Sequence, residues 1–215
     1  MTHTRKNLYL FLPGTAFVLF ITFIHLYSQL AETDLGWLGI HPRQFRWLPT
    51  ILTYPLIHGG WEHLFNNSAP LLVLITILNY QYPENFSRIF WILYFSSGLG
   101  LWLIGASAVH IGASGIVYGL VFFLFLAGIL DTRQQSKIFA LIIVLLYGSV
   151  VWGLLPIDPK ISWEGHIAGA LSGLSLALIY AKKPQIAQPT PEPKQTWHNS
   201  STFNSPYTYK LKDNE

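Results

Sequence analysis

The chain has 215 residues, 51% of them hydrophobic and 15% aromatic but only 11% charged, with a formal net charge of +3 and no cysteine. Soluble domains carry about 25% charged residues, so this composition, with a mean hydropathy of +0.38, describes a polytopic membrane protein of one domain. The lack of cysteine excludes disulfides, thiolate metal sites and a cysteine nucleophile, and the lack of a long basic block excludes a nucleic-acid partner in spite of an isoelectric point near 9.1.

After a short N-terminal stretch, residues 1–7, the first apolar segment runs over Leu8–Tyr27 with Pro13 and Gly14 near its start. No small-residue cleavage site follows it, so it reads as a retained helix rather than a signal peptide. Residues 28–60 form a long connection in which Trp37, Phe45, Trp47, Ile51, Tyr54 and Leu56 alternate with Arg43 and Arg46. That mix suits a segment lying in the membrane interface. Five more apolar segments follow, over Trp61–Tyr80, Phe86–Ala106, Ser114–Leu130, Ile138–Leu155 and Trp163–Ala181. A span needs roughly 20 residues, which gives an all-α, six-transmembrane-helix membrane domain over residues 8–181. Seven helices, or five with one re-entrant segment, fit the same pattern. Residues 182–215 carry five prolines (184, 189, 191, 193 and 206) among polar residues and no apolar periodicity. They read as a disordered Pro-rich tail.

Lys and Arg set the orientation. With the N-terminus inside, one side collects Arg5, Lys6, Arg88, Arg133, Lys137, Lys182 and Lys183, and the other only Arg43, Arg46 and Lys160. This bias puts both termini in the cytosol. The second, fourth and sixth helices then run from outside to inside. His63 and Asn67 lie near the start of the second, Ser114 starts the fourth and His166 lies near the start of the sixth. Polar residues at membrane depth usually face a bundle interior or a wet cavity. Four of them at one depth predict a single cavity.

Those residue types suit hydrolysis. A serine hydroxyl is a poor nucleophile until a neighbouring imidazole takes its proton, and His166 can later return that proton to a leaving amine. His63 and Asn67, at i and i+4, share one helix face and can hold an oxyanion together with the Ser114 amide at a helix N-terminus. No Asp or Glu has an obvious place as a third member, so a Ser114–His166 dyad is the reading. Gly115 and Gly119 on the fourth helix, and Gly169 and Gly173 on the sixth, are small-residue stripes that let the two backbones approach. Tyr118, one turn after Ser114, can pack on the imidazole. Gly112 belongs to a flexible approach to the nucleophile.

The same residues resemble those of the rhomboid intramembrane serine proteases. The matching motifs are His58 with His63-Leu64-Phe65-Asn66-Asn67, Gly112-Ala113-Ser114-Gly115 with Tyr118, and Gly165-His166-Ile167-Ala168-Gly169, on the second, fourth and sixth helices in the family's order. The resemblance covers residues 8–181. It implies a Ser114 nucleophile, a His166 base, an oxyanion hole from His63, Asn67 and the Ser114 amide, and no metal or cofactor. Substrates would be single-span membrane proteins, cut in or near the bilayer. A short six-helix form implies a bacterial inner membrane, with the active site toward the outer face. Two family features are absent. The Trp-Arg pair of the first loop is replaced by Pro49-Thr50, with Arg46-Trp47 displaced and inverted. A Glu at the inner end of the second helix is replaced by Ile77-Leu78-Asn79-Tyr80. These absences bear on the anchoring of the loop and on the contact between the second and third helices.

Other polar residues have blander readings. His58 shapes the cavity entrance, His110 is a solvated loop residue, and Asp158 and Glu164 are loop charges. Trp37, Trp47, Trp61 and Trp163 are interface anchors. Two rival functions stand beside the protease: a silent client-binding protein of the same fold, and a transporter or haem- or metal-binding protein built on His58, His63, His110 and His166. The histidines are scattered and no internal repeat is visible, which weighs against the second.

Overall fold

The computed structural model describes residues 3–158 and 161–181. The tail at 182–215, and the basic residues Lys160, Lys182 and Lys183, lie outside the described residues. Six α-helices are found among the described residues: α1 (His3–Leu30), α2 (Trp61–Gln81), α3 (Phe86–Ile104), α4 (Ser114–Leu130), α5 (Gln134–Tyr147) and α6 (Trp163–Tyr180). Short 3-10 segments cover Gly36–Leu38, Phe45–Leu52, Tyr54–Leu56 and Gly148–Leu154. The fold is an all-α bundle, and the chain is an integral membrane protein.

By length and apolarity alone, three stretches can cross a membrane: Tyr9–Leu30, Phe86–Ile104 and Gln134–Leu154. The sequence reading expected six. The difference lies in the three interior helices. α2 and α6 carry polar side chains that turn into the bundle, which lowers their mean hydropathy. α4 has 17 residues, about 25 Å at 1.5 Å each. It is buried on most of its surface, through Ile116, Leu120, Phe123 and Leu124 among others. It is the central helix, packed most extensively on α6 and then on α5, while α1 lies against α2, and α3 against α6. The fifth segment also changes form partway. The α-helix stops at Tyr147, where Gly148 weakens helical propensity, and continues as the tighter 3-10 segment to Leu154.

Two polar contacts hold the first connection and the end of α2. Arg43 adopts the left-handed region (φ 59°). Its amide donates to the Trp102 carbonyl at 2.9 Å, and its guanidinium donates to the carbonyls of Leu103 (3.2 Å) and Gly105 (2.7 Å). A cation thus closes the C-terminus of α3, where the helix dipole favours it. At the end of α2, Asn79 donates to the Tyr9 and Leu10 carbonyls at 3.3 and 3.2 Å. Pro13 has no N–H for the Tyr9 carbonyl one turn earlier, so the amide takes up a group that lipid could not satisfy.

Between α4 and α5, Asp131 is 1% exposed. Its carboxylate accepts from the Arg133 backbone (2.9 Å), the Arg133 guanidinium (2.8 and 2.5 Å) and the Ser136 hydroxyl (2.9 Å). Burial pushes this carboxyl up, but the hydrogen bonds from Arg133 and Ser136 outweigh it and hold the group below the usual carboxylate range. The stabilisation is therefore complete above about pH 4, the unfolded value, and is lost as pH falls through the lower folded value. Asp131→Asn is expected to lower stability by about 2 kcal/mol at pH 7. Thermal unfolding in detergent should show the gap between variant and wild type closing in acid.

Candidate active site

Ser114 is the first residue of α4, entered through a turn in which Gly112 has φ +101°, a conformation open to glycine. The Gly112 amide donates to the Tyr54 carbonyl at 2.9 Å, which ties the turn to the 28–60 connection. Tyr54 is itself held by α3, through a 3.1 Å hydrogen bond between its hydroxyl and that of Ser97.

The approach of α6 is set by glycine. A Cβ on Gly169 would collide with the Gly115 carbonyl, and one on Gly173 with the Gly119 carbonyl. This close crossing brings His166 Nε2 to 3.0 Å from Ser114 Oγ. His166 Nδ1 lies 2.8 Å from the Gly153 carbonyl oxygen. A carbonyl only accepts, so Nδ1 carries the hydrogen and Nε2 presents its lone pair to the serine hydroxyl. The Tyr118 ring stacks on the imidazole at 3.9 Å and 6° between planes, and its hydroxyl donates to the Val150 carbonyl at 2.8 Å.

α2 closes the other side. A Cβ on Gly112 would strike the His63 imidazole and lie 3.4 Å from Asn67 Nδ2. Both side chains therefore face the turn two residues before Ser114. Asn67 is buried, and its Nδ2 donor has no protein partner. Ser114 opens its helix, so its amide is among the first-turn donors that lack an intrahelical acceptor. His63 and Asn67 thus flank the turn that leads into Ser114. His58 stands behind them, edge-on to His63 with centroids 5.1 Å apart. Burial, and then the neighbouring His63, pull His58 down to about 3, so it is a neutral wall of the site.

Two residues depart from their sequence reading, and a third was not read at all. His110 is buried rather than solvated. Its Nε2 donates to the Ala106 carbonyl at 3.0 Å, and its Nδ1 accepts from the Ser162 hydroxyl at 2.7 Å, while its backbone pairs with Ile40. Glu164, read as a loop charge, is also buried and accepts from the Ala106 amide at 3.2 Å. Ser162, not singled out in the sequence, accepts the His166 amide through its own carbonyl at 3.2 Å. The turn before Ser114 and the first turn of α6 are thus braced to each other. The readable signal was Glu164, a carboxylate two residues before the histidine at the head of an apolar helix. Gly153 and Ser162 left none.

Comparison with known proteins bears on this arrangement. The Rhomboid domain family matches residues 45–183. The chain belongs to the rhomboid family. Uncharacterized proteins of Mycobacterium bovis and Mycobacterium tuberculosis are each 31% identical to it over 202 residues, covering 87% of this chain and 83% of the relative. RHOMBOID-like protein 2 of Arabidopsis thaliana is 26% identical over 139 residues, 63% of this chain and 43% of the relative. Rhomboids are a family of intramembrane proteases, and this rhomboid has its serine and histidine in hydrogen-bonding contact. Arg43, not Arg46, anchors its first connection.

Proposed function

We propose that this rhomboid is a serine endopeptidase that cleaves single-span membrane proteins in or near the bilayer. The observation that supports the reading best is the 3.0 Å contact between His166 Nε2 and Ser114 Oγ, with Nδ1 engaged elsewhere so that Nε2 is the acceptor.

Ser114 Oγ attacks the peptide carbonyl carbon, and its proton passes to His166 Nε2. The carbonyl oxygen becomes an oxyanion held by the Ser114 amide, Asn67 Nδ2 and His63. Donors fixed in advance favour this charged state over the neutral ground state. Collapse breaks the C–N bond, and His166 gives its proton to the departing amine. A water then attacks the Ser114 ester, again losing a proton to His166. Breakdown frees the acid and returns the proton to Ser114. In this reading the membrane domain spans residues 8–181, both termini are cytosolic, and the site opens toward the outer face of a bacterial inner membrane.

Asn67→Ala removes one oxyanion donor. It is expected to slow cleavage by a partial factor, at most roughly 3–4 kcal/mol of transition-state stabilisation, with little change in KM. The reading as a whole is tested by labelling the detergent-solubilised protein with a fluorophosphonate. Labelling of wild type that vanishes in Ser114→Ala and in His166→Ala supports an activated serine. A folded wild type that does not label would leave a silent client-binding protein as the better account.

A further inference from the structure

The dyad has no carboxylate behind its histidine. Glu164, the acid nearest in sequence, is committed to the Ala106 amide, and the atom that receives the His166 Nδ1 hydrogen is the Gly153 carbonyl oxygen. We propose that Gly153 is the positioning residue of this dyad, acting through its carbonyl, and that the histidine is armed only while the 3-10 segment Gly148–Leu154 is seated against α4 and α6. The proposal rests on the hydrolase reading above and adds to it the element that controls the base.

The chemistry requires such a partner. A free neutral imidazole side chain prefers its proton on Nε2, which would aim an N–H at Ser114 and leave no lone pair to take the serine proton. An acceptor at Nδ1 reverses that preference. It also keeps the Nδ1 hydrogen bonded while Nε2 gains the serine proton, so that the cation formed in the attack is stabilised. The Nδ1 hydrogen stays in place throughout, and nothing is consumed.

The segment is built to deliver this carbonyl. The Tyr118 hydroxyl donates to Val150 in the same segment, and Tyr118 is the ring stacked on His166. A Cβ at Gly153 would overlap the Tyr118 hydroxyl and lie 3.2 Å from His166 Nδ1, so only glycine brings the carbonyl this close. The same segment is exposed on its other side, at Val151 and Trp152, 49% and 65% exposed. It is also 3-10 rather than α, the form short hinge-like stretches adopt. One turn, exposed on its far side, therefore holds both the imidazole and the ring that packs on it.

The test uses the full chain, with 15N-labelled histidine NMR and fluorophosphonate labelling rates measured on the same samples. The His166 signal is assigned by its loss in His166→Gln. In wild type the His166 proton should sit on Nδ1. In Gly153→Ala it should move toward Nε2 and the labelling rate should fall about tenfold, the effect of losing one net hydrogen bond from the productive tautomer. Removing the colliding hydroxyl in Gly153→Ala with Tyr118→Phe should restore both, to within about threefold of Tyr118→Phe alone. Wild-type His166 protonated on Nε2 would overturn the proposal, whether or not the variant folds. So would slowed labelling with an unmoved tautomer, or a double variant no better than Gly153→Ala where Tyr118→Phe alone labels at the wild-type rate. Wild type with the expected tautomer but no labelling would instead overturn the hydrolase reading, and the role of the bond with it.

Discussion

Ser114→Ala is expected to abolish cleavage of a single-span substrate in proteoliposomes, and His166→Ala to abolish it as completely. Nucleophile and base act as one unit, so each loss alone should cost about as much as both together, on the order of 10⁴-fold or more. What remains would be catalysis from the oxyanion donors and from binding. The two variants should differ in stability. Ser114 Oγ makes one protein hydrogen bond, to His166, and its loss should cost less than about 1 kcal/mol. His166 also holds the Gly153 carbonyl and the Tyr118 ring, so its truncation should cost about 2 kcal/mol. Cleavage rates and thermal unfolding measured together separate the two effects. Cleavage that persists in Ser114→Ala would sink the mechanism.

Gly169→Leu should have the largest effect on the fold. In lipid there is little hydrophobic drive to join helices, and association depends on close backbone packing. α4 and α6 make the most extensive contact in the bundle. At Gly169 even a methyl group would meet the Gly115 carbonyl, which is backbone and cannot swing aside. Leucine must force the helices apart, at a cost of about 3 kcal/mol or more. Gly115 adjoins Ser114, and Gly169 lies one turn after His166, so the same displacement separates the dyad. Loss of fluorophosphonate labelling should therefore accompany the drop in unfolding temperature. Gly59→Ala is the control. Its added Cβ would meet only the Ile111 side chain, at 3.7 Å, and stability should change by less than about 0.5 kcal/mol. Equal stability of Gly169→Leu and wild type would show that this crossing does not hold the bundle.

Much of the architecture could be read from apolar runs. The expected starts of α2, α3, α4 and α6, at Trp61, Phe86, Ser114 and Trp163, are those observed. Each marks a sharp change from polar or turn-forming residues to a lipid-compatible run. Alternating helix direction then places His63, Asn67, Ser114 and His166 at one end of the bundle, which follows from counting segments. The glycine stripes announced which faces could meet, because a small side chain at that spacing has little use except close approach.

Tertiary structure alone decided what holds those residues. His110 and Glu164 look like solvated charges in a linear reading, because a polar residue between apolar runs carries no mark of what folds over it. Arg43 and Asp131 close helix ends by contacts whose partners are unreadable in one dimension, since backbone carbonyls and amides are present at every position. Gly153 is the clearest case. Its contribution is a carbonyl, common to all residues, and what distinguishes it is a Cβ that is absent where Tyr118 needs the room. The sequence by itself determined a membrane bundle with a serine, two histidines and an asparagine at one end. It did so because lipid enforces long apolar runs and makes each polar exception visible. Which nitrogen of His166 faces the serine was decided only by the crossing of α4 with α6 and the seat of the Gly148–Leu154 turn, because a tautomer is set by a partner in space.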